Sequence, residues 1–317
     1  MTGQTRKHLF YVNSFFLGVF TLFMGFSFLL APLFGFYAVI PISIVILGLL
    51  PVFITKKLKY DVKEVFSLRG IQFKELALIF AGALAVLFLS QVIAAFAAKI
   101  YELFGKKSQP QIALETVPYK IAIQFVITCL IIPFFEEFFF RGFLNGMYQK
   151  LNIRFHAVIS GILFGLFHVQ FHVVIGTLFA GIIWAYFVRY SGSLIGGIIP
   201  HIIFNGTTLA LLYLSKEFAA TASGSHRTIE TGTLLMAAAI AALFALILIA
   251  VLKKLKSIYK EKHQAISEAY SNNEIETNSI HTELKYEDEP AEKVVLWSPV
   301  ILFVVLIIFA STAVFFK

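Results

Sequence analysis

The 317-residue chain holds a single cysteine, Cys129. That excludes an internal disulfide and a metal site built on a cysteine cluster. Among apolar neighbours the residue reads as a small packing side chain. Charge is equally scarce: 14% of residues are Asp, Glu, Lys or Arg, against 59% hydrophobic. A soluble domain cannot cover that much apolar surface, so the composition points to an integral membrane protein. Polar–apolar alternation is missing too, and continuous apolar runs exclude a transmembrane β-barrel. No repeat of fixed period is visible. No small-residue cleavage site stands out after the first apolar run, which is too long, and too closely followed by a second, for a plain cleaved signal peptide. The net charge of +8 does not mark a nucleic-acid binder, because the basic residues gather at the ends of apolar runs rather than on a soluble face.

What is present is a series of apolar runs of about 20 residues, the length of one bilayer crossing. They fall near 10–31, 35–55, 76–98, 118–140, 155–171, 173–189, 195–214, 231–252 and 296–316. The expected fold is an all-α polytopic membrane protein, with about eight core transmembrane helices plus a C-terminal anchor helix after an acidic linker. The chain divides into N-terminal membrane helices with an amphipathic segment (1–112), a helical core (113–257), the linker (258–294) and the anchor (295–317). The basic stretch 56–75 reads as an amphipathic segment on the inner membrane surface. Residues 258–294 hold nine of the 18 acidic residues and few large apolar ones, so they read as a disordered cytoplasmic linker. Basic clusters at Arg6 and Lys7, Lys56–Lys74, Arg141–Arg154, Arg189 and Lys253–Lys293 alternate as the positive-inside rule requires, with the N-terminus cytoplasmic and Lys317 outside.

Three constellations put ionisable residues inside these runs, where each costs about 3 kcal/mol near a helix centre. The first is PFFEEFFFRG, residues 133–142. Glu137 and Arg141 are i, i+4 in the favourable acid-before-base order. Glu136 lies about 140° around the axis from Arg141. Arg141 can therefore hold Glu137 as a structural carboxylate and leave Glu136 free as a general base. The second is FGLFH, residues 164–168, with Phe164 and His168 on one face. Asn152, in the polar turn between the two helices, stands midway between Glu136 and His168. Antiparallel helices then bring those two to the same depth. The third is PHIIFN, residues 200–205, where His201 and Asn205 at i, i+4 can both donate to one oxygen. His201 follows closely on the turn at 190–193. Glycines at 192, 196 and 197 allow a loop dipping into the membrane to bring it level with His168. A base, a second group on the water and oxyanion donors together fit hydrolysis of an amide by activated water. No serine or cysteine nucleophile is suitably placed.

At these motifs, EEFFFR (136–141), FGLFH (164–168) and HIIFN (201–205), the sequence resembles the CPBP family of type II CAAX prenyl endopeptidases and bacteriocin-processing or immunity (Abi) membrane proteins. The likeness covers about 115–215. It implies an intramembrane endopeptidase acting on a membrane-associated, prenylated or leader-type peptide. In that reading Glu136 and His168 activate water, His201 and Asn205 stabilise the oxyanion, and Glu137, Arg141 and Phe164 support them. The resemblance leaves two mechanisms open: metal-free glutamate catalysis, and a zinc ion on Glu136, His168 and His201. There is no HExxH, although His168 and His172 have i, i+4 ligand spacing. The implied partners are a peptide or protein substrate at the membrane and the lipid bilayer, with no nucleic acid. The implied location is the bacterial plasma membrane. The rival reading is a non-catalytic self-immunity or scaffold protein. A transporter is disfavoured, because the polar residues crowd into one third of the chain and no paired repeat is seen.

Overall fold

Residues lacking backbone hydrogen-bond partners cannot cross a bilayer, so an apolar chain of this kind is driven into helices. The computed structural model describes residues 3–103, 114–148, 152–168, 171–221, 231–271 and 300, and every regular element among them is helical. Helix α1 (Gly3–Phe34) ends at Gly35, whose φ of +58° turns the chain into α2 (39–57). α2 packs back on α1. A short α3 (Val62–Val65) follows, capped by the Asp61 side chain accepting from the Glu64 amide. Then come α4 (Phe73–Leu103), α5 (Pro118–Met147), α6 (Ile153–Phe167), α7 (Phe171–Ser191), α8 (Ile195–Thr221) and α9 (Thr231–Ser271).

Six helical runs among the described residues are long and apolar enough to cross a membrane, and the chain is a multi-pass integral membrane protein. The count of eight core spans is not reached on this measure. α1 and α2 form one apolar run, His8–Lys57, and α6 has 15 residues. At 1.5 Å per residue α6 is about 22 Å long, short of a bilayer core of about 30 Å. The expected anchor at 295–317 falls outside the described residues apart from 300.

Close packing follows small residues, as it must where lipid competes with apolar side chains. Gly161 and Gly165 of α6 meet Leu178 and Ile182 of α7, and a Cβ at Gly161 would stand 2.3 Å from Ile182 Cγ1 and 2.7 Å from the Ile182 amide nitrogen. Gly161→Ala is therefore expected to force α6 and α7 apart and cost about 1–3 kcal/mol. A lowered unfolding midpoint in detergent checks it, with Gly206→Ala, which meets nothing closer than 3.9 Å, as the neutral comparison. Phenylalanines fill the seam between α1, α5 and α6. Phe16 lies on Phe139 and Phe140, and Phe20 and Phe23 lie on Phe167. The Tyr148 hydroxyl donates to Asn13 Oδ1 at 2.6 Å, tying the foot of α5 to α1.

Two readings of the polar segments change. The 56–75 segment packs into the bundle rather than only lying on a surface: Phe66 is buried against Phe138 and Gly142, and Gly146 sits against the Val65 carbonyl. Residues 258–271, read as the start of the linker, continue α9 as helix. The helix persists because its outer turns find partners. Lys262 pairs with buried Glu75 at 2.6 Å, Tyr259 lies on Tyr190, and Ser257–Glu261 and Gln264–Glu268 bond at i, i+4.

Candidate active site

α5 carries the first motif and is not a uniform α-helix. Pro133 has no amide hydrogen for the carbonyl four residues earlier, and the turn just before it, Ile127–Ile131, widens into π-helix. A second π stretch, Phe138–Leu144, carries Arg141. The Glu137–Arg141 pair survives this widening. Arg141 Nη1 donates to Glu137 Oε1 at 2.9 Å, and Nη2 donates to the Gly181 carbonyl of α7 at 3.1 Å, both side chains being wholly buried. Phe164 lies under the guanidinium, 4.2 Å from ring centre to Cζ, so the charge is also held by an aromatic face.

The structure changes the division of labour read for the two glutamates. His201 of α8 lies between them. Its Nδ1 is 2.9 Å from Glu137 Oε1, and its Nε2 is 3.6 Å from Glu136 Oε2. A carboxylate already paired with Arg141 can only accept, so the hydrogen sits on Nδ1 and points at Glu137. Glu137 thus anchors Arg141 and His201 together, while Nε2 faces Glu136. The glycines before His201 act by close approach and not as a dipping loop. α8 begins at Ile195, and a Cβ at Gly197 would fall on Glu137 Oε2. Gly192, at φ +69°, makes the turn itself.

His168 ends α6, with its Nδ1 3.0 Å from the Phe164 carbonyl. A carbonyl accepts, so Nδ1 carries the hydrogen and Nε2 keeps a lone pair. Phe164 touches His168, His201 and Arg141, with ring centroids 4.9 Å and 5.6 Å from the two imidazoles. It is the wedge that holds the first, second and third motifs together. Asn205, one turn beyond His201, donates through Nδ2 to the Thr128 carbonyl at 3.0 Å, which leaves its second N–H unassigned. The side chain of His172 falls outside the described residues.

Among the described residues no three His, Cys, Asp or Glu side chains come together as a metal-holding group. Glu136, His168 and His201, the set named for a zinc ion, are not such a group, although His168 and His201 each engage an oxygen through Nδ1 and keep an Nε2 lone pair, as ligating imidazoles do. No step below runs through a metal. Sequence reasoning missed Trp184, whose ring lies tilted against His201 at 4.6 Å and reaches Arg141 at 5.5 Å. Its only mark in the sequence is that it is one of two tryptophans.

Residues 118–207 match the family model described as type II CAAX prenyl endopeptidase Rce1-like. The stretch begins with α5 and ends two residues past Asn205, so it contains all three motifs, and the resemblance read from them holds there. The matched family is a family of proteases. No curated protein and no solved structure matches the chain.

Proposed function

We propose that the chain is an intramembrane endopeptidase that hydrolyses a peptide bond of a membrane-associated peptide, prenylated or leader-type, with Glu136 as general base. One observation carries the reading: two buried carboxylates contact opposite nitrogens of one imidazole, and a buried arginine neutralises only one of them. Glu137 spends its charge on Arg141, and Glu136 keeps its own for chemistry.

In this reading Glu136 takes a proton from water, and the free Nε2 of His168 helps to orient that water. The proton passes towards His201 Nε2. The hydroxide adds to the scissile carbonyl carbon while the imidazolium, anchored by Glu137 through Nδ1, donates Nε2–H to the developing oxyanion alongside the remaining N–H of Asn205; as the C–N bond then breaks, the leaving amine takes that Nε2 proton and His201 returns to neutral. His201 can serve as an oxyanion donor only when so charged, because its neutral tautomer turns a lone pair outward. The positive-inside pattern favours an inner face at the Arg141–Arg154 end, in a bacterial plasma membrane.

The deciding experiment compares membrane and secreted peptides by mass spectrometry from cells carrying wild type or Glu136→Gln at equal expression. Neo-termini present only with wild type support the protease and identify its substrate. Matching profiles, with a cellular phenotype retained in both, would leave the scaffold or immunity reading instead. A second expectation follows from Gly197. Gly197→Ala pushes a methyl group into Glu137 Oε2 and displaces His201, so cleavage should fall on the order of 10²-fold. Initial rates on the identified peptide check this, with Gly206→Ala as the variant that should keep its rate.

A further inference from the structure

On the other side of Arg141 from Glu136, between α5, α6 and α7, lies a set of buried polar side chains that the hydrolytic steps above do not use. Arg141 and Phe164 touch across α5 and α6. Asn145 follows Arg141 by four residues, and Ser160 precedes Phe164 by four. On antiparallel helices each repeats its neighbour's face one turn further along, in the same direction. That spacing puts Asn145 and Ser160 each one turn beyond the Arg141–Phe164 contact, on helices that pack together there. One turn beyond Ser160, His156 is buried beside the Tyr148 backbone and near Arg189. Trp184, one turn on from the Gly181 carbonyl that receives Arg141, borders both sides: it lies against Arg141 and Phe164 and also against His201.

These groups are buried: Asn145 is 8% exposed, Ser160 0% and Trp184 1%. Neither amide atom of Asn145, nor the Ser160 hydroxyl, nor the Trp184 indole N–H, nor Arg141 Nε has a hydrogen-bond partner among the described residues. Buried polar groups are satisfied almost without exception, by protein or by ordered water. This set offers an amide that both donates and accepts, a hydroxyl that does the same, and N–H donors from the indole and the guanidinium. That is the mixed ring of two to four partners that a buried water takes. A cation is disfavoured by the arginine at the head of the column, and an apolar ligand by the polar lining.

We propose that Asn145, Ser160 and Trp184 hold ordered water behind Arg141, and that this water is the route by which the site exchanges water and protons with the Arg154–Arg189 end of the bundle. Its role in turnover rests on the protease reading; its existence as a hydration site does not. A hydrolase buried in lipid consumes one water per bond cut, and this column is a polar supply line leading to Glu137 and His201.

The test is hydroxyl-radical labelling by X-ray radiolysis of the full chain in nanodiscs, read by mass spectrometry. The radicals form from water where it sits, so a buried side chain is labelled only if ordered water lies beside it. Trp184 should be oxidised in wild type, while the equally buried Phe16 and Phe139 are not. The label should vanish in Asn145→Leu/Ser160→Ala and weaken in Ser160→Ala, which keeps the test readable if the double variant does not fold. An unlabelled Trp184 in wild type, or a label undiminished in both variants, overturns the hydration site. On the peptide identified above, the double variant should lower kcat at unchanged KM; an unchanged kcat with the label lost overturns the supply role. If wild type cuts no peptide, the protease reading fails, and the Trp184 label alone decides the water site.

Discussion

Glu136→Gln is expected to lower peptide cleavage by about 10²–10⁴-fold, the usual worth of a positioned general base, while leaving the protein at least as stable as wild type. The two effects have one cause. Glu136 is buried, its partner His201 is 3.6 Å away, and Arg141 is committed to Glu137. An ionised carboxylate in that place costs about 3 kcal/mol on insertion scales, and glutamine removes the charge without changing the shape. The amide can still hydrogen-bond His201 Nε2. Initial rates on the substrate peptide, together with an unfolding curve in the same detergent, check both halves. Loss of rate with equal or raised stability marks a residue kept for chemistry at a cost in stability. Loss of both marks a packing group. An unchanged rate removes Glu136 from the mechanism.

The sequence made much of this site legible. Ionisable residues are so rare in the apolar runs that EEFFFR, FGLFH and HIIFN stand out. Helical arithmetic alone paired Glu137 with Arg141. The placement of His201 was not legible, because it depends on where α8 starts and on Gly197 letting the helix close onto Glu137. A motif read along one helix cannot show that both of its glutamates meet an imidazole from a helix more than 60 residues away. The π turns of α5 were hidden as well, although Pro133 marks the place of the first. Asn145, Ser160 and Trp184 escaped notice for a different reason. Uncharged polar residues are common in membrane helices, and only burial without partners distinguishes them. At the far end, the helical reach of α9 to Ser271 depends on Glu75, nearly 190 residues earlier, which no local pattern in an acidic, polar stretch reveals.

Arg141→Met is expected to destabilise the protein by about 3–5 kcal/mol, the cost of leaving one member of a buried ion pair without its counter-charge. Glu137 is wholly buried, and Arg141 is its only cationic contact apart from His201 among the described residues. Removing the guanidinium also strips the Gly181 carbonyl of its donor and Phe164 of the charge on its face. Arg141→Lys should recover little, because one ammonium cannot span Glu137, Gly181 and the flat aromatic contact as the planar fork does. The decisive comparison is the cycle with Glu137→Gln. If the carboxylate is ionised and Arg141 neutralises it, the double variant Glu137→Gln/Arg141→Met should regain most of the stability lost in Arg141→Met, giving a large coupling energy. It should regain no activity, since His201 has lost the anion that fixes its tautomer and position. If Arg141→Met unfolds at the wild-type midpoint, Glu137 is not held as an anion, and the assignment of the working charge to Glu136 loses its foundation. Stability and activity come apart here because the pair that holds the bundle together also aims the imidazole, and apolar packing can replace only the first of those functions.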